Sequence, residues 1–299
     1  YASREEAIRN RLVRDGVIGL GVRFEIVDDG ALVKTIVEEG PGEIAGLDIG
    51  DVITHANGIP LRNLTLTDVR RRLDGIVGTT VTLTFHRPGE SGHRVVTAAL
   101  DLVVPDTVAG TLRDGLLELR ILSFNQRTAH AVEKAVKEAK IETGGSLRGI
   151  VLDLRGDPGG LLDQAIELAD LFLESGTITT LHGRHPGANQ YYAAHRGDIA
   201  ESAPIAVLID GKSASAAEIV AAALQDNKRA AIIGTVSWGK GSVQTVRRLP
   251  NGGEIALTWA RMVTPRGAEL HGLGLMPDVC LSGASSSVSE AIDFVYSDA

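Results

Sequence analysis

Residues Pro204–Asp226 read PIAVLIDGKSASAAEIVAAALQD: an apolar run, a tight turn, then a segment with almost no bulky polar residue before Gln225. A nearly continuous apolar run suits a strand buried on both faces. A strand that feeds a helix through so short a turn belongs to a sheet covered by helices. The turn also carries two serines, Ser213 and Ser215, at the start of the helix. Unsatisfied N–H groups and the helix dipole there can stabilise a developing oxyanion. A second reading stands beside the catalytic one, because Ser215-Ala216-Ala217-Glu218 also spells a capping box, in which serine only caps the helix and Glu218 caps back.

Outward from this segment the pattern repeats. GLLELRILSF, GIVLDLR (149–155), AAIIG (230–234) and EIALTWA are further apolar strand candidates. Between them lie two amphipathic helices, one with Ala129, Val132, Val136 and Ala139 on one face, the other with Leu162, Ala165, Ile166 and Ala169. Upstream the texture changes. From Gly19 to about Leu102, GLGVRFEIV, ALVKTIV, DVITHANG and TTVTLTFHR alternate with glycine punctuation and predict a small β-rich unit. One helix interrupts it near Leu64–Leu73, with Leu66, Val69 and Leu73 at helical spacing and Thr65 or Thr67 as cap. The boundaries expected are 17–103 for this unit and 104–299 for the larger one.

Two more segments have the texture of a site. In GTVSWGKGSVQ (234–244), Lys240 stands between Gly239 and Gly241; burial there would lower its pKa, as a general base requires, and a plain surface lysine in a glycine turn is the alternative. Gly234 to Lys240 resembles the start of a phosphate-binding loop, but Gly241 stands where Ser or Thr should hold magnesium, and SVQTVRRL alternates like a strand. In DLRGDPGG (153–160), Gly159 and Gly160 allow a close backbone approach and could aim an N–H at a reacting carbonyl, with the Ala216 N–H as the other half of an oxyanion hole. A plain Pro-Gly turn is the alternative, and Asp153 with Arg155 reads as an ion pair at a strand end. His182 and His185 lack a third ligand at zinc spacing.

Composition limits the partners. With 299 residues, 43% hydrophobic, the chain can bury one large or two modest cores, and a net charge of -8 gives no basic footprint for nucleic acid or anionic lipid. No apolar run is long enough for a membrane helix. The one cysteine, Cys280, excludes an internal disulfide and has no activating context.

Taken together, GIVLDLRGDPGG, the Pro204–Asp226 segment, GTVSWGKGSVQ, TPRGAELHGLG and GLMPDV resemble the carboxyl-terminal processing peptidases, or tail-specific proteases, of bacteria and plastids. That resemblance implies an α+β fold with a crotonase-like peptidase core and a PDZ-like domain. It implies a serine endopeptidase with Ser215 as nucleophile, Lys240 as base, Gln244 orienting the lysine, and no metal or cofactor. Gly19, Leu20, Gly21 and Val22 match the loop whose amides receive a peptide's terminal carboxylate, so the expected partners are proteins or peptides with apolar C-terminal tails. Residues 1–16 would be the remnant of a helical region, the compartment periplasmic or otherwise exported, and a homo-oligomer stays open. Ala217 replaces the last serine of the family run. The rival reading is a peptide-binding adaptor that keeps this fold without cleaving.

Overall fold

The computed structural model describes Ser3 and residues 16–281, so the expected N-terminal remnant lies outside the described residues apart from Ser3 and Gly16. The chain divides into two compact units, one within Asp15–Pro105 and one from Asp106 on.

The first unit runs β1 (Val17–Gly19), β2 (Val22–Val27), β3 (Gly30–Ile36), α1 (Pro41–Ile44), β4 (Val52–Ala56), β5 (Ile59–Pro60), α2 (Leu66–Leu73), β6 (Thr80–His86), β7 (Arg94–Ala99) and β8 (Asp101–Val103). Its sheet has the order β2-β3-β4-β6-β7, all antiparallel, with β5 beside β4; β1 pairs separately with β8. The inward positions Ala31, Val33, Ile53, Leu83 and Phe85 are buried with Leu61 and Val69. Thr65 caps α2, its side chain accepting from the Asp68 N–H at 3.2 Å. Val69 and Leu73 carry the buried face, whereas Leu66 is 40% exposed: at the first turn it overshoots the apolar stripe.

The second unit runs β9 (Val108–Arg113), β10 (Leu116–Ile121), α3 (Thr128–Glu142), β11 (Gly149–Asp153), α4 (Leu162–Asp170), β12 (Thr177–Gly183), β13 (Gln190–Ala193), β14 (Ile205–Ile209), α5 (Ala216–Asp226), β15 (Ala231–Gly234), β16 (Ser242–Arg248), β17 (Glu254–Val263) and β18 (Val279–Cys280). One sheet, β18-β15-β14-β11-β10-β9, is parallel except for its edge strand β9; a second, β13-β12-β17-β16, is antiparallel. Ala129, Val132, Val136 and Ala139 of α3 are all buried as their spacing requires, and on α4 Ala165, Leu168 and Ala169 are buried while Leu162 and Ile166 are half-buried.

The register explains why distant motifs meet. Asp153 stands opposite Leu208, and Ile209 opposite Gly234, in parallel pairing. The loops that follow β11, β14 and β15 therefore leave the same edge of adjacent strands, where parallel sheets commonly hold their sites. Helix α5 fits that position because every residue from Ala216 to Leu224 is buried, including the carboxylate of Glu218.

Candidate active site

Ser213 and Ser215, alike in sequence, differ in structure. Ser213 is fully buried; its hydroxyl donates to the Leu154 carbonyl at 2.8 Å and accepts from the Asp210 N–H at 2.9 Å. It is part of the framework. Ser215 is half-buried and has φ +59° and ψ −111°, a conformation that costs a residue with a Cβ on the order of 1–3 kcal/mol and is held only where the surroundings demand it. The residue sits on a sharp strand-to-helix turn, and the N–H of Ala216 next to it has no acceptor among the described residues.

Glu218 is the centre of the arrangement. Its Oε2 accepts from the Ser215 N–H at 2.8 Å and the Lys240 N–H at 2.9 Å; its Oε1 accepts from the Gly239 N–H at 2.7 Å and from the Ser237 hydroxyl. Four donors fill the acceptor sites of a carboxylate, which is what lets one be 1% exposed in an apolar helix. The capping box is thus present, and the same group also binds the loop after β15. The sequence signal was the Ser-x-x-Glu spacing, whose longer-range role spacing alone does not reveal.

Lys240 takes the surface alternative and not the buried one. Its backbone is packed as the flanking glycines suggest: a Cβ on Gly241 would lie 2.4 Å from the His271 nitrogen. The side chain, however, is exposed, and its ammonium makes no hydrogen bond or ion pair among the described residues. The crowding that requires glycine acts on the main chain and leaves the lysine stem free. Gln244 is likewise not brought to the lysine. It lies on the exposed part of β16, and its Nε2 donates to the Thr258 hydroxyl at 3.1 Å across to β17.

The glycine turn lies against the serine. Gly159 has φ +92°, and a Cβ there would sit 2.6 Å from the Ala214 oxygen, 2.8 Å from the Ala216 nitrogen and 2.8 Å from Ser215 Cβ. Its N–H is already engaged, donating to Asp157 Oδ1 at 2.7 Å, so of the two glycines considered as oxyanion donors only Gly160 keeps an N–H without an acceptor among the described residues. The Asp157 carbonyl accepts from Ala214 at 2.9 Å, a second tie between the two loops. Asp153 pairs with both Arg155 and Arg120; burial pushes its carboxyl up, but the arginine bonds outweigh burial and hold it below the usual range. Burial also opposes ionisation of Asp210, and the N–H groups of Gly156, Lys212 and Ser213 overcome it, leaving that carboxyl lowered. Asp157 has no such compensation. Burial pushes it up to about 7 against smaller pulls from the Gly159 N–H and the Arg120 charge.

In the β-rich unit, Leu20 is buried and its carbonyl accepts from Gly42 at 2.7 Å, while the Gly21 carbonyl accepts from Val37 at 2.7 Å. Gly19 ends β1, and Val22 begins the edge strand β2 opposite Ile36. No group of three or more metal-ligating side chains occurs among the described residues, and no helix there is long and apolar enough to cross a membrane.

One carboxylate thus joins a serine on a strained turn, at the head of a buried helix, to the lysine loop, with a glycine turn against the serine. Residues 115–281 match the family Peptidase family S41, and residues 32–87 match the PDZ domain. The chain is 38% identical over 283 residues to the carboxy-terminal-processing protease of Bartonella bacilliformis, covering 93% of this chain and 65% of that protein. It is 34% identical over 264 residues to the carboxyl-terminal-processing protease of Picosynechococcus sp., covering 87% and 63%. Among solved structures, the photosystem II D1 C-terminal processing protease is 30% identical with a TM-score of 0.54, over 94% of this chain and 76% of that one. The chain belongs to peptidase family S41, among the carboxyl-terminal processing peptidases that carry a PDZ domain. It spans less than two thirds of the length of the two named proteases.

Proposed function

We propose that this chain is a serine endopeptidase that binds the C-terminal tails of proteins through its PDZ domain and hydrolyses peptide bonds with Ser215 and Lys240. The observation that carries this reading is the shared acceptor Glu218 Oε2. The backbone nitrogens of Ser215 and Lys240 lie within two hydrogen-bond lengths of each other, inside the reach of a lysine side chain. In the reacting state the exposed lysine side chain turns inward and serves as the base in its amine form. Lys240 Nζ then takes the Ser215 hydroxyl proton as Oγ attacks the scissile carbonyl carbon. The Ala216 N–H and the glycine turn at Gly159 and Gly160 face the oxyanion; Gly160 has the free donor. Collapse of the tetrahedral adduct breaks the C–N bond as Lys240 returns the proton to the leaving amine. Water, deprotonated by the same lysine, hydrolyses the acyl-enzyme and frees Ser215. Neither metal nor cofactor has a step in this scheme. Gln244 would join the lysine only if its bond to Thr258 breaks.

The predominantly parallel sheet with α5 behind the nucleophile is consistent with a crotonase-like core. Apolar tails recognised by the Gly19–Val22 loop and by strand addition at β2, an exported or periplasmic setting, and a homo-oligomer complete the proposal; the domains are those expected at 17–103 and 104–299.

The test is cleavage of an internally quenched peptide with an apolar C-terminal tail, compared with the same peptide amidated at its C-terminus. Loss of the terminal carboxylate is expected to lower kcat/KM by about tenfold or more, since a charge-assisted contact to backbone amides contributes roughly 1.5–3 kcal/mol. Equal rates on both peptides would remove tail recognition from the proposal, and binding without cleavage under all conditions would favour the adaptor.

A further inference from the structure

Asp157 stands out among the acidic side chains of the site. It is fully buried, its Oδ1 accepts from the Gly159 N–H, and its Oδ2, also buried, has no hydrogen-bond partner. The two neighbouring arginines are already engaged elsewhere. Arg120, from β10, is bonded to Asp153 and to the Arg155 carbonyl, and Arg155 is bonded to Asp153. The N–H groups of Gly156, Lys212 and Ser213 serve Asp210, and those of Ser215, Gly239 and Lys240 serve Glu218. A carboxylate with one oxygen unserved in such a place is costly, whereas a neutral carboxylic acid leaves only one weaker group unpaired. Burial raises the Asp157 carboxyl in the same direction.

The position gives that protonation state a consequence. Asp157 holds Gly159 by its N–H and Ala214 by its carbonyl, and Gly159 is the residue pressed against Ser215 and the Ala216 N–H. We propose that Asp157 is a positioning residue that works as a neutral carboxylic acid, fixing the glycine turn against Ser215, and that its ionisation suppresses catalysis. In the neutral form Oδ1 still accepts from Gly159. Once ionised, it places a second negative charge beside the oxyanion that forms during acylation. Like charges in a site shielded from water raise the barrier, here on the order of 10–100-fold in rate. The sign follows from the raised pKa: the neutral form prevails below about 7 and the inhibitory anion above it. The proposal rests on the reading of Ser215 as nucleophile.

Asp157→Asn separates these effects, because the amide oxygen can still accept from Gly159 and the side chain never ionises. Peptide cleavage is measured from pH 5.5 to 9 for the wild-type chain, Asp157→Asn, Asp157→Ala and Ser215→Ala. Asp157→Asn is expected to match wild type at pH 6 and to exceed it by tenfold or more at pH 8.5, while Asp157→Ala falls at least tenfold below Asp157→Asn at every pH. Superimposable profiles for wild type and Asp157→Asn would overturn the role of Asp157 and leave the Ser215 reading intact. Cleavage that persists in Ser215→Ala would overturn that reading instead. Carbon-13 NMR of aspartate-labelled protein needs no turnover. A buried carboxyl titrating near neutral pH in wild type and missing from Asp157→Asn is the expected result; if every aspartate titrates below pH 5, the proposal fails.

Discussion

Replacing Ser215 by alanine is expected to lower kcat/KM for peptide cleavage by ~10⁴-fold or more, and Lys240→Ala by a comparable factor, because a nucleophile and its base act as one unit. The doubly substituted chain should then be no slower than either single variant. Melting temperatures should stay near wild type, since Ser215 is half-buried and the Lys240 side chain is exposed. Steady-state kinetics with thermal unfolding checks this. Retention of more than a tenth of wild-type kcat/KM in Ser215→Ala would place the nucleophile elsewhere.

Glu218→Ala should damage both fold and activity. It removes the acceptor for the N–H groups of Ser215, Gly239 and Lys240 and for the Ser237 hydroxyl, all gathered around one buried carboxylate. The two fully buried donors, the Gly239 N–H and the Ser237 hydroxyl, cost about 1–3 kcal/mol each when left unsatisfied, so a loss on the order of 2–6 kcal/mol is expected. For a unit of this size that lowers the melting temperature by on the order of 10 °C. The freed Lys240 loop should also cost roughly 100-fold in kcat/KM through misplacement of the base. Glutamine restores little, since each carboxylate oxygen accepts two donors and the amide NH₂ would confront two of them in either orientation. Calorimetry beside kinetics separates the two losses; a Glu218→Ala chain with unchanged melting and rate would show that the carboxylate does not join the loops in solution.

How far the sequence disclosed this site depended on what kind of constraint each residue carries. Apolar runs at 149–155, 204–210 and 230–234 identified β11, β14 and β15, and their parallel register brings three loops to one edge. Strands β7, β9, β12 and β13 were not legible: Arg94–Ala99, Val108–Arg113, Thr177–Gly183 and Gln190–Ala193 mix polar and apolar residues at edges or on half-exposed faces. The glycines around Lys240 reported a crowded main chain, and reading that crowding as burial of the ammonium carried a backbone property over to a side chain that points away. The Asp157–Gly159 bond was legible in principle, since an aspartate two residues before a glycine in a Pro-Gly turn commonly accepts that N–H. Burial of its second oxygen has no local signal. Glu218 was visible as a cap; its grip on residues 237–240 depends on a contact across 22 positions.

The positive φ of Ser215 bears on how a peptide complex of this chain would best be captured. Alanine removes the hydroxyl but inherits the same unfavourable backbone geometry, whereas glycine adopts it without steric penalty and is accepted at a helix N-cap. An inert scaffold for crystallising bound tails is therefore better made with Ser215→Gly, in which the turn relaxes and the emptied side-chain position gives the scissile carbonyl room to settle.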